Sequence, residues 1–138
     1  MTPIRPNHKN GIILAIAAAA LLSVSPANAA DLAHVQQLKK TGSCENCDLR
    51  GAKLNGLSLK GANLKGAKLK GAQLGNSDMR GANLTGADLT GANLRGTDLK
   101  GANLKGASVA GAATKSTIYC NTTLAGGPIS NRDCAKTK

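Results

Sequence analysis

The sequence predicts an all-β solenoid, and three observations carry that prediction. A leucine-centred unit recurs every five residues, glycine closes nearly every unit, and one aromatic residue stands in 138. Take the centre of each unit as position i. Fourteen units run without a break from Cys47 to Ser116. Their centres are Leu49, Leu54, Leu59, Leu64, Leu69, Leu74, Met79, Leu84, Leu89, Leu94, Leu99, Leu104, Val109 and Thr114. Ten of the fourteen i−2 positions are alanine and twelve of the i+2 positions are glycine, Asn76 and Ser116 being the exceptions. Small, apolar and flexible residues therefore keep one spacing throughout.

The period excludes the simpler elements. On an α-helix five steps leave each leucine roughly 140° from the last, so the leucines define no face. On a flat strand an odd period sends successive leucines to opposite faces. Collagen needs glycine every third residue, and disorder does not place apolar residues strictly. A strand broken by corners fits. Positions i−2 and i point one way, i−1 and i+1 the other, and the i+2 glycine supplies a bend that resets the alternation. A chain that bends the same way at every corner coils. Ala and Leu fill its interior, and stacked coils about 4.8 Å apart pair the backbone groups. Asn, Asp, Lys, Arg and Thr at i−1 and i+1 face water.

The motif A(D/N)LxG in tandem, as in Ala82-Asn83-Leu84-Thr85-Gly86, resembles the pentapeptide-repeat proteins. The resemblance implies a right-handed quadrilateral β-helix with four units, or twenty residues, per coil. It covers residues 44–119, which make about four coils, roughly 19 Å tall at the strand spacing. The core residues are then Leu49 through Leu104 as named above, with Met79 and Val109. Gly75-Asn76, where the i+2 glycine is lost, is the expected place for an irregular coil. Some relatives carry acidic surfaces that mimic duplex DNA; this basic chain has the opposite sign, and that activity is not carried over.

The flanks read as a leader and two caps. Arg5, His8 and Lys9 precede the apolar run 11–22, and Ala27-Asn28-Ala29 is a small-residue cleavage site. Residues 1–29 are thus a cleaved signal peptide, the apolar run being too short to span a bilayer. The mature chain is expected in the periplasm or outside the cell, or in the thylakoid lumen of a cyanobacterium. Residues 30–43 form a capping helix, N-capped by Asp31 and ended by Gly42, with Leu32, Val35 and Leu38 on one side. Residues 120–138 form a C-terminal cap of loop character, marked by Gly126-Gly127-Pro128 and Asn131-Arg132-Asp133.

Four cysteines in an exported chain favour disulfides. Cys44 and Cys47 precede the first coil and Cys120 and Cys134 follow the last, nearly 20 Å apart by the coil rise, whereas a disulfide tolerates about 7 Å between Cα atoms. Pairs 44–47 and 120–134 are expected. The same separation opposes one four-cysteine metal site, and Asp48 stands where a c-type haem motif needs histidine. No metal or cofactor is expected. A thiol–disulfide enzyme using Cys44 and Cys47 is the competing class, although the register turns both inward.

No catalytic constellation is legible. His34 and the outward Asp78, Asp88 and Asp98 read as solvated side chains. Eighteen basic residues against seven acidic give a formal charge of +11, and removing the leader leaves sixteen against seven, or +9. Lys53, Arg95 and Lys115 share one side of the coil with no acid, which makes them the candidate anion-binding face. Nucleic acid is not expected, since stacking aromatics and a continuous basic groove are both absent from the sequence. The leading expectation is a non-enzymatic structural or protein-interaction module with an unidentified protein partner. Its alternative is a cationic binder of an acidic partner or anionic membrane surface.

Overall fold

The computed structural model describes residues 30–137, so the leader expected over 1–29 lies outside the described residues. Helix α1 (Leu32–Thr41) comes first. Asp31 accepts the Ala33 N–H on its side chain, and Gly42, at φ 70°, donates its N–H to the Leu38 carbonyl and ends the helix. Leu38 is buried and Val35 packs partly against the core, while Leu32 stays 76% exposed. The apolar stripe is thus shorter than its three-residue spacing suggests. Among the described residues no helix is long and apolar enough to cross a membrane.

The repeat then coils as a four-sided parallel solenoid. Each i−1 residue bridges the residue twenty further on, from Ser43 with Asn63 to Asn103 with Thr123. Every side is therefore a strand of minimal length, and stability comes from stacking. The i+2 residues make the corners at positive φ, Gly86 at 68° for example. Asn76 takes the same conformation at 57° and donates its N–H to the Arg95 carbonyl, as the glycines do to their own coil neighbours. No irregular coil occurs at Gly75-Asn76, because asparagine tolerates the left-handed region better than other side-chain-bearing residues.

Leu49 through Leu104 and Met79 are buried in one core with the i−2 alanines up to Ala107, and Ala112 is only partly buried. Val109 departs from the expected core list. It is 39% exposed, and Thr114 beside it is exposed. A fifth coil would cover both, but the last coil bond runs from the Gly106 N–H to the Ala125 carbonyl, after which the chain leaves the stack. The solenoid itself outlasts its expected end at 119, since Ile118 and Thr123 still bridge the coil below.

Four i−2 positions hold buried hydroxyls in place of alanine. Ser77 and Thr97 donate to the Leu74 carbonyl, Thr117 to Leu94 and Thr122 to Leu99. A buried hydroxyl left unbonded would cost about 1–3 kcal/mol. Here a carbonyl answers each one.

The two ends are closed differently. At the first coil, α1 and its flanks supply the bonds a preceding coil would give. The Asp31 N–H reaches the Asp48 carbonyl, His34 Nδ1 accepts the Asp48 N–H, and Gln37 Nε2 and Thr41 Oγ1 donate to the Ser43 carbonyl. At the last coil, β1 (Thr122–Thr123) pairs antiparallel with β2 (Ile129–Ser130), and a 3-10 turn (Cys134–Thr137) follows. The Tyr119 N–H finds Asp133 Oδ2, the Asn121 N–H finds Asn131 Oδ1, and the Leu124 N–H finds the Pro128 carbonyl.

Candidate functional site

The outward surface is built by a local rule. Oδ1 of Asp48, Asn63, Asp78, Asn83, Asp88, Asn93, Asp98 and Asn103 accepts the backbone N–H two residues on, at 3.0–3.3 Å. This is an Asx turn, and it explains why i−1 is so often Asp or Asn. Asp78, Asp88 and Asp98 are therefore more than solvated charges, because each one fastens its own side of the coil.

Four of the coil carboxylates are also paired with a cation where they stand. Asp48 pairs with Arg50, Asp78 with Arg80, Asp98 with Lys100, and Glu45 with Lys65 one coil above. The Arg50 guanidinium holds the Asp48 carboxyl down at about 2, against an ordinary 3.8, and burial opposes that shift. Hydrogen bonds from Arg80 lower Asp78 in the same way, and those from Thr90 lower Asp88. A carboxyl depressed on folding stabilises the fold above its unfolded pKa, and that contribution is lost as pH falls through the folded value. The Asp48 contribution is thus whole above about pH 4 and disappears toward pH 2. In an NMR titration Asp48 should titrate near 2, and Arg50→Gln should move its midpoint up toward 3.8. An unmoved midpoint would show that Arg50 is not the cause.

One side of the coil follows no such pairing. Its four units are 52–56, 72–76, 92–96 and 112–116, and they contain Lys53, Arg95 and Lys115 but no acidic residue. All three side chains are exposed, and none joins an ion pair among the described residues. Arg95 and Lys115 occupy the same column on adjacent coils, where the Gly96 N–H meets the Lys115 carbonyl. Lys53 lies in the neighbouring column two coils lower, with Gln73 and Asn93 stacked above it. The register thus brings the three to one side but not into one cluster. Two coils are about 10 Å, roughly a screening length at physiological salt.

The cysteines close the two ends. Cys44 and Cys47 are bonded with Cα atoms 5.3 Å apart, and Cys120 and Cys134 with Cα atoms 4.7 Å apart. No bridge joins the ends. Cys44 and Cys47 are buried, so a thiolate has no open approach to their sulfurs. His34, read from sequence as solvated, is an acceptor for the Asp48 amide. Nothing in a helical pattern marks it for that task. Among the described residues no group of three or more His, Cys, Asp or Glu is placed to hold a metal ion.

The model of the family described as "Pentapeptide repeats (8 copies)" matches residues 43–81 and 82–113, more than half of the chain. The chain belongs to the pentapeptide-repeat family. Among solved structures it is similar to HetL of the cyanobacterium Nostoc sp. strain PCC 7120, described as involved in heterocyst differentiation regulation. That likeness has 38% identity and a TM-score of 0.63 over 64% of this chain, which spans only 40% of HetL. It is also similar to alr5209 of Nostoc PCC 7120, a pentapeptide-repeat protein, at 26% identity and a TM-score of 0.61 over 80% of this chain and 95% of that one. A comparison with curated proteins gave no match.

Proposed function

We propose that this protein is an exported, non-enzymatic interaction module: a right-handed quadrilateral solenoid that offers flat sides to a protein partner. The observation that carries this reading is the uneven charge of its sides. Asp48, Asp78, Asp98 and Glu45 are paired on three sides, while the fourth carries only cations. A side that carries cations and no acid suits an acidic partner. Family membership supports the module reading, since pentapeptide repeats are typically scaffolds. Two disulfides support an oxidising compartment. Burial of Cys44 and Cys47 favours a structural bridge over a redox centre.

The same side favours a second reading, an anionic membrane surface. Both readings are tested with the triple variant Lys53→Glu, Arg95→Glu, Lys115→Glu, which should fold normally because all three side chains are exposed. Pull-down from the native exported fraction should lose its partner in the variant, and more of the parent's partner should elute as salt passes ~0.15 M. Vesicles rich in anionic lipid serve as the second bait. Equal capture by parent and variant would reduce this side to solvated surface.

A further inference from the structure

The last coil is capped on only two of its four sides. Tyr119, Asn121 and Leu124 donate their N–H groups to the C-terminal cap. On the other two sides, units 107–111 and 112–116, the N–H groups of Val109, Gly111, Thr114 and Ser116 make no hydrogen bond among the described residues. The equivalent groups one coil lower, on Leu89, Gly91, Leu94 and Gly96, all donate upward to this coil. The carbonyls of Ala107 and Ala112 are likewise free, although those of Ala87 and Ala92 accept from above. The open edge therefore repeats, donor for donor, the edge on which every earlier coil was laid.

Beside that edge lies a cavity of about 500 Å³, walled by Val109, Ala112 and Thr114 on the coil and by Pro128, Ser130 and Arg132 on the C-terminal cap. At the first coil Leu38 is buried and Val35 packs partly against the core. An unpaired edge beside an apolar hollow is the geometry of β-strand addition.

We propose that this end receives an extended, acidic segment of another polypeptide, laid on as half of a fifth coil. The inference rests on the interaction-module reading and assigns its site. Register dictates the segment's pattern. Over each open side its inward residues are a small one and an apolar one, lying above Ala107 and Val109, then above Ala112 and Thr114, of which the last three line the cavity. Between the sides it needs Gly or Asn, the residues that make the corners below. Its outward residue on the second side stands over Lys115, with Arg95 under that, and no acid shares their side. That residue is Asp or Glu. The formal net charge of +11 also opposes a second copy of this chain as occupant.

The test uses the mature chain with both disulfides formed and a labelled peptide, Ala-Thr-Leu-Thr-Gly-Ala-Thr-Leu-Glu-Gly, read by fluorescence anisotropy. The parent should bind it, and should bind the version with Lys for Glu about tenfold more weakly, the worth of one good charge pair. Lys115→Glu, at an exposed position, should reverse that preference. Val109→Lys should abolish binding by filling the hollow. If Val109→Lys alone is misfolded by circular dichroism, the Lys115→Glu reversal still decides. Absence of peptide binding, or binding indifferent to Lys115→Glu, overturns the proposal. Sedimentation showing a dimer that Val109→Lys dissociates overturns it too, since the occupant is then a second copy. Partner capture that depends on Lys53 and Arg95 but survives Val109→Lys overturns the end site and leaves the module reading standing.

Discussion

Replacing Leu84 with Asp should leave no folded protein at neutral pH. Leu84 sits at mid-stack with no exposed surface, against the Leu64 and Leu104 of the coils below and above. Removing a buried leucine side chain costs about 2–5 kcal/mol, and an unpaired carboxylate in its place adds several more. A domain of this size has on the order of 5–15 kcal/mol to lose. The position decides the outcome, because a break at Leu84 leaves only about two coils on either side and a short stack buries too little core to stand alone. Lys105→Asp is the matched control. It adds the same carboxylate on the same side, one coil higher and pointing outward, and should move stability by under ~0.5 kcal/mol. Thermal melts followed by circular dichroism separate the two. A Leu84→Asp protein that melts with the parent would place Leu84 outside the core.

The contrast between Leu84 and Lys105 is readable from the five-residue period, because the period fixes which residues face inward wherever coils exist above and below. It does not say where the stack stops. Val109 has the spacing of a core residue and an apolar side chain, yet it is 39% exposed because nothing at the level of residue 129 lies over it. Thr122 shows the converse. It lies beyond the recognisable motif, but its hydroxyl meets the Leu99 carbonyl and it is fully buried. Ser77 and Thr97 break the alanine column in the sequence, and one carbonyl accepts both, that of Leu74, three residues before Ser77 and on the coil below Thr97. The Thr97 contact is tertiary and invisible to a local pattern. The cationic side was legible as a shared side, since twenty residues per coil assigns sides by arithmetic. The gap between Lys53 and Arg95 follows from their different columns. The half-open last edge was not legible, because it depends on where Asn131 and Asp133 fold back, and loop residues carry no period.

Removing the Cys120–Cys134 bridge should release the C-terminal cap and leave most of the solenoid intact. The bridge closes a separation of 14 residues, for which the chain-entropy relation gives ~3 kcal/mol. What it holds is specific. Asp133 and Asn131 reach the Tyr119 and Asn121 amides from the segment just before Cys134, and Arg132 stacks over the Tyr119 ring at 4.7 Å. Few apolar contacts reinforce that segment: Ile129 is 61% exposed, and the hairpin pairs only two residues on each strand. Without the bridge those bonds must bear the ordering entropy of the cap, at about 1–2 kcal/mol per backbone residue, and they do not suffice. In the Cys120→Ser, Cys134→Ser protein the Tyr119, Asn121 and Leu124 amides should lose hydrogen-exchange protection. The Leu69 and Leu74 amides, bonded to Asp88 and Asn93 in mid-stack, should keep theirs, because coupling in a repeat stack falls off from neighbour to neighbour. The Cys44→Ser, Cys47→Ser protein should behave differently. Its bridge closes a separation of only 3, worth ~2 kcal/mol by the same relation, and the first coil keeps the bonds from α1 and Asp31. If the mid-stack amides lost protection together with Tyr119, the solenoid would be one cooperative unit fastened at its end, and loss of the bridge would not be a local event.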